Sequence, residues 1–230
     1  IIWKNPNFNV GFHSVPTVSM NGKRIYYGEG AEDDEGDSFY CIDASSGSVI
    51  WEYVMAYPAR GHYRGYTGGA IIGPDGTLYI ASQHGWLISL TDNGDSYTEN
   101  WAYDNGAEMR MPPAMDNAGY LYVGSSDGSG YVSKVDSRTG KSAGGNWPKL
   151  VWTEGGSQEK EVFASIAVAK DGTVYVNSQD YQLWALTPEG EKKWTLRFEG
   201  WGSDPLIRDD GRIIVAVQMA GAARVACIRD

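Results

Sequence analysis

Residues 173–178 alternate as a strand does, and residues 182–187 and 192–196 follow as a second and a third strand-like segment. A period of two turns one face of each segment inward and predicts three β-strands. Asp171-Gly172, Gln179-Asp180-Tyr181 and Pro188-Glu189-Gly190 punctuate them, and residues 164–169 supply an earlier strand. An Asp-Gly pair between apolar runs signals a tight turn, because Gly accepts positive φ and Asp tolerates it. The segment therefore predicts four short antiparallel strands in order.

The unit recurs along the chain. Its first hairpin appears as Asn21-Gly22, Asp75-Gly76, Asn117-Ala118-Gly119, Asp171-Gly172 and Asp210-Gly211. The strand that follows reads RIYYG, TLYIAS, YLYVGSS, TVYVNS and RIIVAV, and the third strand reads FYCID, LISLTD, VSKVD, LWALT and VACIR. A Trp closes each period. Trp3, Trp51, Trp101, Trp147 and Trp194 are spaced by 48 (51−3), 50 (101−51), 46 (147−101) and 47 (194−147) residues. A fixed period of this size with four strands predicts an all-β propeller.

Two turns carry a closer likeness. Gly47-x-x-x-Trp51 follows Cys41-Ile42-Asp43-Ala44-Ser45-Ser46, and Gly190-x-x-x-Trp194 follows Ala185-Leu186-Thr187. This pattern resembles the repeat of the pyrroloquinoline-quinone-like propellers. Asp136-Ser137-Arg138-Thr139-Gly140 matches the turn, with Trp147 delayed by residues 141–146; Thr91-Asp92-Asn93-Gly94 likewise precedes a delayed Trp101. The resemblance covers nearly the whole chain and implies a blade-docking role for Trp3, Trp51, Trp101, Trp147 and Trp194. It does not fix an activity, since the family includes enzymes, assembly factors and binding modules.

Five hairpins and five Trp residues predict five four-stranded blades in one domain, at about 15–55, 68–104, 112–153, 164–198 and 203–230 plus 1–5. The last blade has three strands, and IIWK at residues 1–4 resembles VIW at 49–51. The opening residues are therefore expected to complete the last blade and close the ring, covering otherwise exposed edges. A segment of a longer ring is the rival arrangement.

Composition narrows the partners. A net charge of −10 argues against a nucleic-acid backbone. No apolar run approaches the ~20 residues of a membrane span. The resemblance points to a secreted, periplasmic or cell-surface protein. Cys41 and Cys227 fall at equivalent third-strand positions and are expected to be buried free thiols.

Candidate chemistry sits in the loops between blades and in the turns between second and third strands. The turn at 29–37, with six carboxylates, offers Asp33, Asp34, Glu35 and Asp37 as calcium ligands. It lacks the spacing of a helix–loop–helix calcium motif, and a solvated acidic loop is the alternative. The loop AYPARGHYRGYTGG at 56–69 holds Arg60, His62, Tyr63, Arg64 and Tyr66, which offer planar donors and stacking faces. The alternative is that these rings pack the loop down. His84, Glu108, Arg110, Asp127, Asp180 and Asp204 come from neighbouring loops and turns, and His13 ends the first. Trp201 lies outside the repeat Trp position and is the best candidate for an exposed stacking residue.

The leading function is a non-catalytic binding or scaffold module for a protein partner or a glycan. A sugar-acting hydrolase or lyase is the alternative, with His62, His84 or His13 beside Arg60 and Glu108 as acid and base. A quinone-dependent dehydrogenase is disfavoured. The resembling enzymes hold the quinone with adjacent disulfide-linked cysteines, calcium ligands and an Asp base, whereas Cys41 and Cys227 stand 186 residues apart (227−41). No cofactor is expected apart from calcium at the acidic turn.

Overall fold

In the computed structural model, the described residues are 2–5, 14–31, 38–59, 64–66, 68–153, 160–219 and 221–230. The chain divides into two compact units, 1–112 and 113–230. All regular structure among the described residues is β-strand.

The first unit holds β1 (Thr17–Val18), β2 (Arg24–Gly28), β3 (Gly30–Ala31), β4 (Ser38–Asp43), β5 (Val49–Val54), β6 (Arg64–Gly65), β7 (Ala70–Ile72), β8 (Leu78–Ala81), β9 (Trp86–Asp92) and β10 (Tyr97–Asp104). They form two four-stranded sheets, β1-β2-β4-β5 and β7-β8-β9-β10, plus the small ribbon β3-β6. The second unit holds β11 (Ala114–Met115), β12 (Tyr120–Gly124), β13 (Tyr131–Asp136), β14 (Lys149–Leu150), β15 (Ala167–Val168), β16 (Val174–Ser178), β17 (Gln182–Leu186), β18 (Lys192–Arg197), β19 (Leu206–Ile207), β20 (Arg212–Met219) and β21 (Ala222–Arg229). Their sheets are β11-β12-β13-β14, β15-β16-β17-β18 and the three-stranded β19-β20-β21. Every strand pair in these sheets is antiparallel, as the Asp-Gly hairpins require. Gly76, Gly172 and Gly211 take positive φ at those turns.

Five sheets match the five repeats read from the sequence. The last differs in detail. Residues 2–5 form no strand, and no strand pairs with the outer edge of β21 among the described residues. Trp3 lies instead against the first sheet, where its indole Nε1–H donates to Ala44 O at 3.0 Å. Its ring covers Gly47 so closely that a Cβ there would come within 2.4 Å.

Three of the other repeat Trp residues dock in the same way. Trp51 donates to Asp92 Oδ1 at 3.0 Å, Trp147 to Pro188 O at 3.1 Å, and Trp194 to Asp230 Oδ1. Each of these indoles reaches the end of the third strand of the next repeat, within its own unit. Burying such a ring contributes about 2–3 kcal/mol, and the N–H is satisfied at the same time. Trp101 packs against Tyr79 with ring centroids 5.9 Å apart. The insertion at 141–146 delays Trp147 but does not displace it. The strand β14 simply starts after the indole, beyond a cis Trp147-Pro148 bond.

The docking carboxylates gather further partners. Asp92 also accepts from Tyr26 Oη at 2.8 Å and pairs with Arg24 Nε at 3.3 Å. Asp230 accepts from Tyr175 Oη and Lys193 Nζ, both at 2.7 Å. Burial pushes the Asp230 carboxyl up, but donation from Lys193, Trp194 and Tyr175 outweighs this and leaves it below its ordinary value. Burial, and then donation to Asp230, raises the Tyr175 phenol.

Both cysteines are free. Cys41 is buried in the first sheet as expected, whereas Cys227 is exposed. The correction has a structural cause. Cys227 stands on β21, the outer strand of a three-stranded sheet, whose residues are largely exposed.

Candidate functional site

The turns between second and third strands share one construction in the first three sheets. In each of the first three sheets, a small residue ends the second strand: Gly28, Ala81 and Gly124. A loop residue then lies down at that strand end. Tyr66 N donates to Glu29 O at 2.7 Å, Met109 N to Ser82 O at 3.3 Å, and Val162 N to Ser125 O at 2.8 Å. The side chains of Tyr66, Met109 and Val162 are buried to within 1% of complete. Close approach requires the small partner. A Cβ on Gly28 would come within 2.3 Å of Tyr66 Cβ, and one on Gly124 within 2.4 Å of Val162 Cγ1. The loop residue is a plug and the strand end is its seat.

The fourth sheet reverses the pair. Its second strand ends in Asn177-Ser178, so the seat carries a carboxamide. The loop opposite supplies Gly202, and a Cβ there would come within 2.7 Å of Asn177 Nδ2. A glycine cannot plug the space. A cavity of about 400 Å³ results, lined by Phe163, Ala164, Asn177, Gln179, Trp201 and Gly202. Trp201 is 62% exposed at its rim.

Beside the cavity, the turn at 178–182 is fixed by a buried carboxylate. Asp180 is fully buried and accepts from Thr153 N at 3.0 Å, Thr153 Oγ1 at 3.2 Å, Gln182 N at 3.1 Å and Gln182 Nε2 at 3.0 Å, and from Ser178 Oγ. A buried charge survives only when it is hydrogen-bonded in this way. The turn also places Tyr181 at φ 64°, a left-handed conformation that His84-Gly85 meets with glycine in the second sheet. Gln179 Nε2 donates to Glu161 Oε2 at 2.8 Å, which sets the orientation of its amide.

The residues expected to form a site scatter under this construction. Tyr66 is 1% exposed, meets Phe39 edge-on at 5.6 Å between ring centroids, and presents no face to a ligand. His84 and Glu108 are 2% and 3% exposed. Glu108 pairs with Arg110 at 3.4 Å, so this acid and this base are enclosed in the first unit rather than offered to a substrate. The backbone of Arg64 pairs with Ala31 in the ribbon β3-β6. Arg60, His62, Tyr63, His13 and the proposed calcium ligands Asp33, Asp34, Glu35 and Asp37 lie outside the described residues. Among the described residues, no group of three or more His, Cys, Asp or Glu side chains is placed to hold a metal. Asp127 is exposed in its own turn and accepts from Ser129 N and Oγ. Asp204 accepts from Ser165 N at 2.7 Å and Oγ at 3.0 Å, tying the 198–204 loop to the start of the fourth repeat. Trp201 stands where the sequence placed it, exposed and off the repeat position. Asn177 and Gln179 were missed, although a signal existed: the seat column reads Gly28, Ala81, Gly124 and then Asn177.

Repeated four-stranded antiparallel sheets, with one Trp per period, define a β-propeller repeat protein. A family model described as outer membrane protein assembly factor BamB matches residues 1–142 and again 129–226. The chain belongs to that family, and the resemblance read from its turns is thereby shown. Comparison with curated proteins finds no match. Among solved structures, the chain is similar to BamB from Moraxella catarrhalis, with a TM-score of 0.67 and 16% identity over 98% of this chain and 62% of that one. It is also similar to a protein of unknown function from Bacteroides caccae, with a TM-score of 0.58 and 15% identity over 90% of this chain and 73% of that one. The chain thus spans less than two thirds of the Moraxella protein. Among the described residues no helix is long and apolar enough to cross a membrane.

Proposed function

We propose that the protein is a non-catalytic binding module whose partner is another protein, and that the contact surface is the Trp201 rim and the cavity beneath it. The observation that carries this reading is the exposure of Trp201. A Trp of the repeat position finds an acceptor at the neighbouring repeat or packs on a tyrosine, whereas Trp201 turns a large apolar face to solvent. Exposed aromatic rings beside a pocket are the usual anchors of protein interfaces. The family description, an outer membrane protein assembly factor, supports a protein partner within envelope assembly and hence a location outside the cytoplasm. Five sheets fit the five blades expected; their closure into a ring is part of the proposal, and it is supported by Trp3, which takes on Ala44 the place Trp51 takes on Asp92.

The test is site-specific photo-crosslinking in cell envelopes of the source organism. A crosslinking residue at position 201 should give a discrete protein adduct that the same residue at position 225, also exposed, does not. No protein adduct at 201, or the same adducts from both positions, would remove this surface from the function.

A further inference from the structure

Two residues that line the cavity hold an unfilled hydrogen-bonding demand. Asn177 Oδ1 and Gln179 Oε1 are buried, and no donor among the described residues reaches either. Buried acceptors left in this state are uncommon and costly, and they point to an absent partner. Their assignment as oxygens is secure on chemical grounds. Asn177 Nδ2 donates to the Ser203 carbonyl and Gln179 Nε2 to the Glu161 carboxylate. Exchanging O and N in either amide would set oxygen against oxygen. These two acceptors therefore ask for donors.

The side-chain donors of Asn177, Ser178 and Gln179 are already committed, which leaves the indole N–H of Trp201 as the donor on the lining. Ser178 Oγ is committed to Asp180. Glu161, one hydrogen bond behind Gln179, adds negative potential, in a chain of net charge −10. Over these acceptors stands the open face of Trp201. A ligand that fits must be planar, rich in N–H groups, poor in acceptors, positively charged and able to stack on an indole. A sugar hydroxyl brings as many acceptors as donors. An ammonium brings donors but no plane. A guanidinium meets every condition.

We propose that this cavity takes the arginine side chain of a protein partner, its guanidinium stacked on Trp201 and donating to Asn177 and Gln179. The proposal rests on the protein-binding reading of the Trp201 surface and gives that surface its specificity. Phe163 and Ala164 line the cavity walls that the methylene stem would pass.

Capped tripeptides Gly-Arg-Gly, Gly-Lys-Gly and Gly-citrulline-Gly, titrated into isotopically labelled protein, separate these possibilities by NMR. The Trp201 indole signal is assigned by its loss in Trp201→Phe, and the two carboxamide signals by Asn177→Ala and Gln179→Ala. The arginine peptide should shift all three, saturably. The lysine and citrulline peptides should bind at least about tenfold more weakly, because each forfeits the plane or the charge that strengthens these bonds. Trp201→Phe should retain arginine binding, whereas Trp201→Ala should lose it at unchanged melting temperature. Equal response to lysine and arginine, or no response of the Trp201 signal, overturns the proposal. If position 201 still crosslinks a protein that the arginine peptide does not displace, the arginine is wrong and the protein-binding surface stands. If the peptide binds but no protein crosslinks, the reverse holds.

Discussion

The second and fourth sheets answer the same problem in opposite ways. Asn105 N donates to Gly85 O at 2.9 Å in one, and Phe198 N to Tyr181 O at 2.7 Å in the other, so the two loops leave equivalent points. Four residues on (109−105 and 202−198), the second sheet presents Met109 and the fourth presents Gly202. Three residues on, they present Glu108 and Trp201. In the second sheet the methionine fills the space and the glutamate is buried with Arg110 as partner. In the fourth, the glycine leaves the space open and the tryptophan stands at its mouth. The seat changes in step, from Ala81 to Asn177. The repeat fold thus opens a cavity where one plug is withdrawn, with polar groups where the plug was seated.

The plugged positions give the largest effect by which to test that contrast. Tyr66→Ala removes a fully buried ring from the first plug and should cost about 3–5 kcal/mol. Urea unfolding followed by far-ultraviolet dichroism measures it. A loss below about 1 kcal/mol would mean that the loop does not seal the strand end, and the distinction between plugged and open sheets would fail.

Most of the frame was legible because its signals are local. A Gly with positive φ marks a hairpin wherever it falls, and strand alternation needs only neighbouring residues. The indole series was readable by counting, and the hydrogen bonds of Trp51, Trp147 and Trp194 follow that count. The site was harder to read because inside and outside are decided across the chain. Tyr66 sits in a loop rich in Arg and Tyr that suggests binding. It is buried because Gly28, dozens of residues earlier, leaves room for it. Cys227 sits at the same repeat position as Cys41 yet is exposed, since exposure depends on whether another strand covers β21. Trp201 was readable because it breaks the period. Asn177 becomes readable only when the second strands are aligned and the column of small residues is seen to fail once.

A middle-sized effect concerns two hydrogen-bonded carboxylates, Asp230, which docks an indole, and Asp171, in the hairpin of the fourth sheet. Asp230 and Asp171 are held below their ordinary value of 3.8, Asp230 by Lys193, Trp194 and Tyr175 against the cost of burial, and Asp171 by the Thr173 backbone. A depressed carboxylate contributes stability that is complete above the ordinary value and is lost as pH falls through the lower, folded one. The urea midpoint should therefore be level above about pH 5 and decline below pH 4. Asp230→Asn should lower the plateau and flatten part of the decline. An unchanged slope in that variant would show that the indole at 194 docks without help from the charge.

The smallest expected change in stability is the most informative. Trp201→Ala deletes a ring that is mostly in water, and surface substitutions of that kind stay within about 0.5 kcal/mol. If the ring were a lid on the core, its removal would open the cavity to solvent, and the cost would approach that of Tyr66→Ala. The two substitutions thus bracket the argument. One aromatic residue should matter greatly to folding, and the other should matter only when a partner arrives. A Trp201→Ala protein that melts with the wild type and no longer takes the arginine peptide places the ring in recognition. A protein that melts several degrees lower places it in the core, and the open sheet then becomes a fourth plugged one with the tryptophan as its plug.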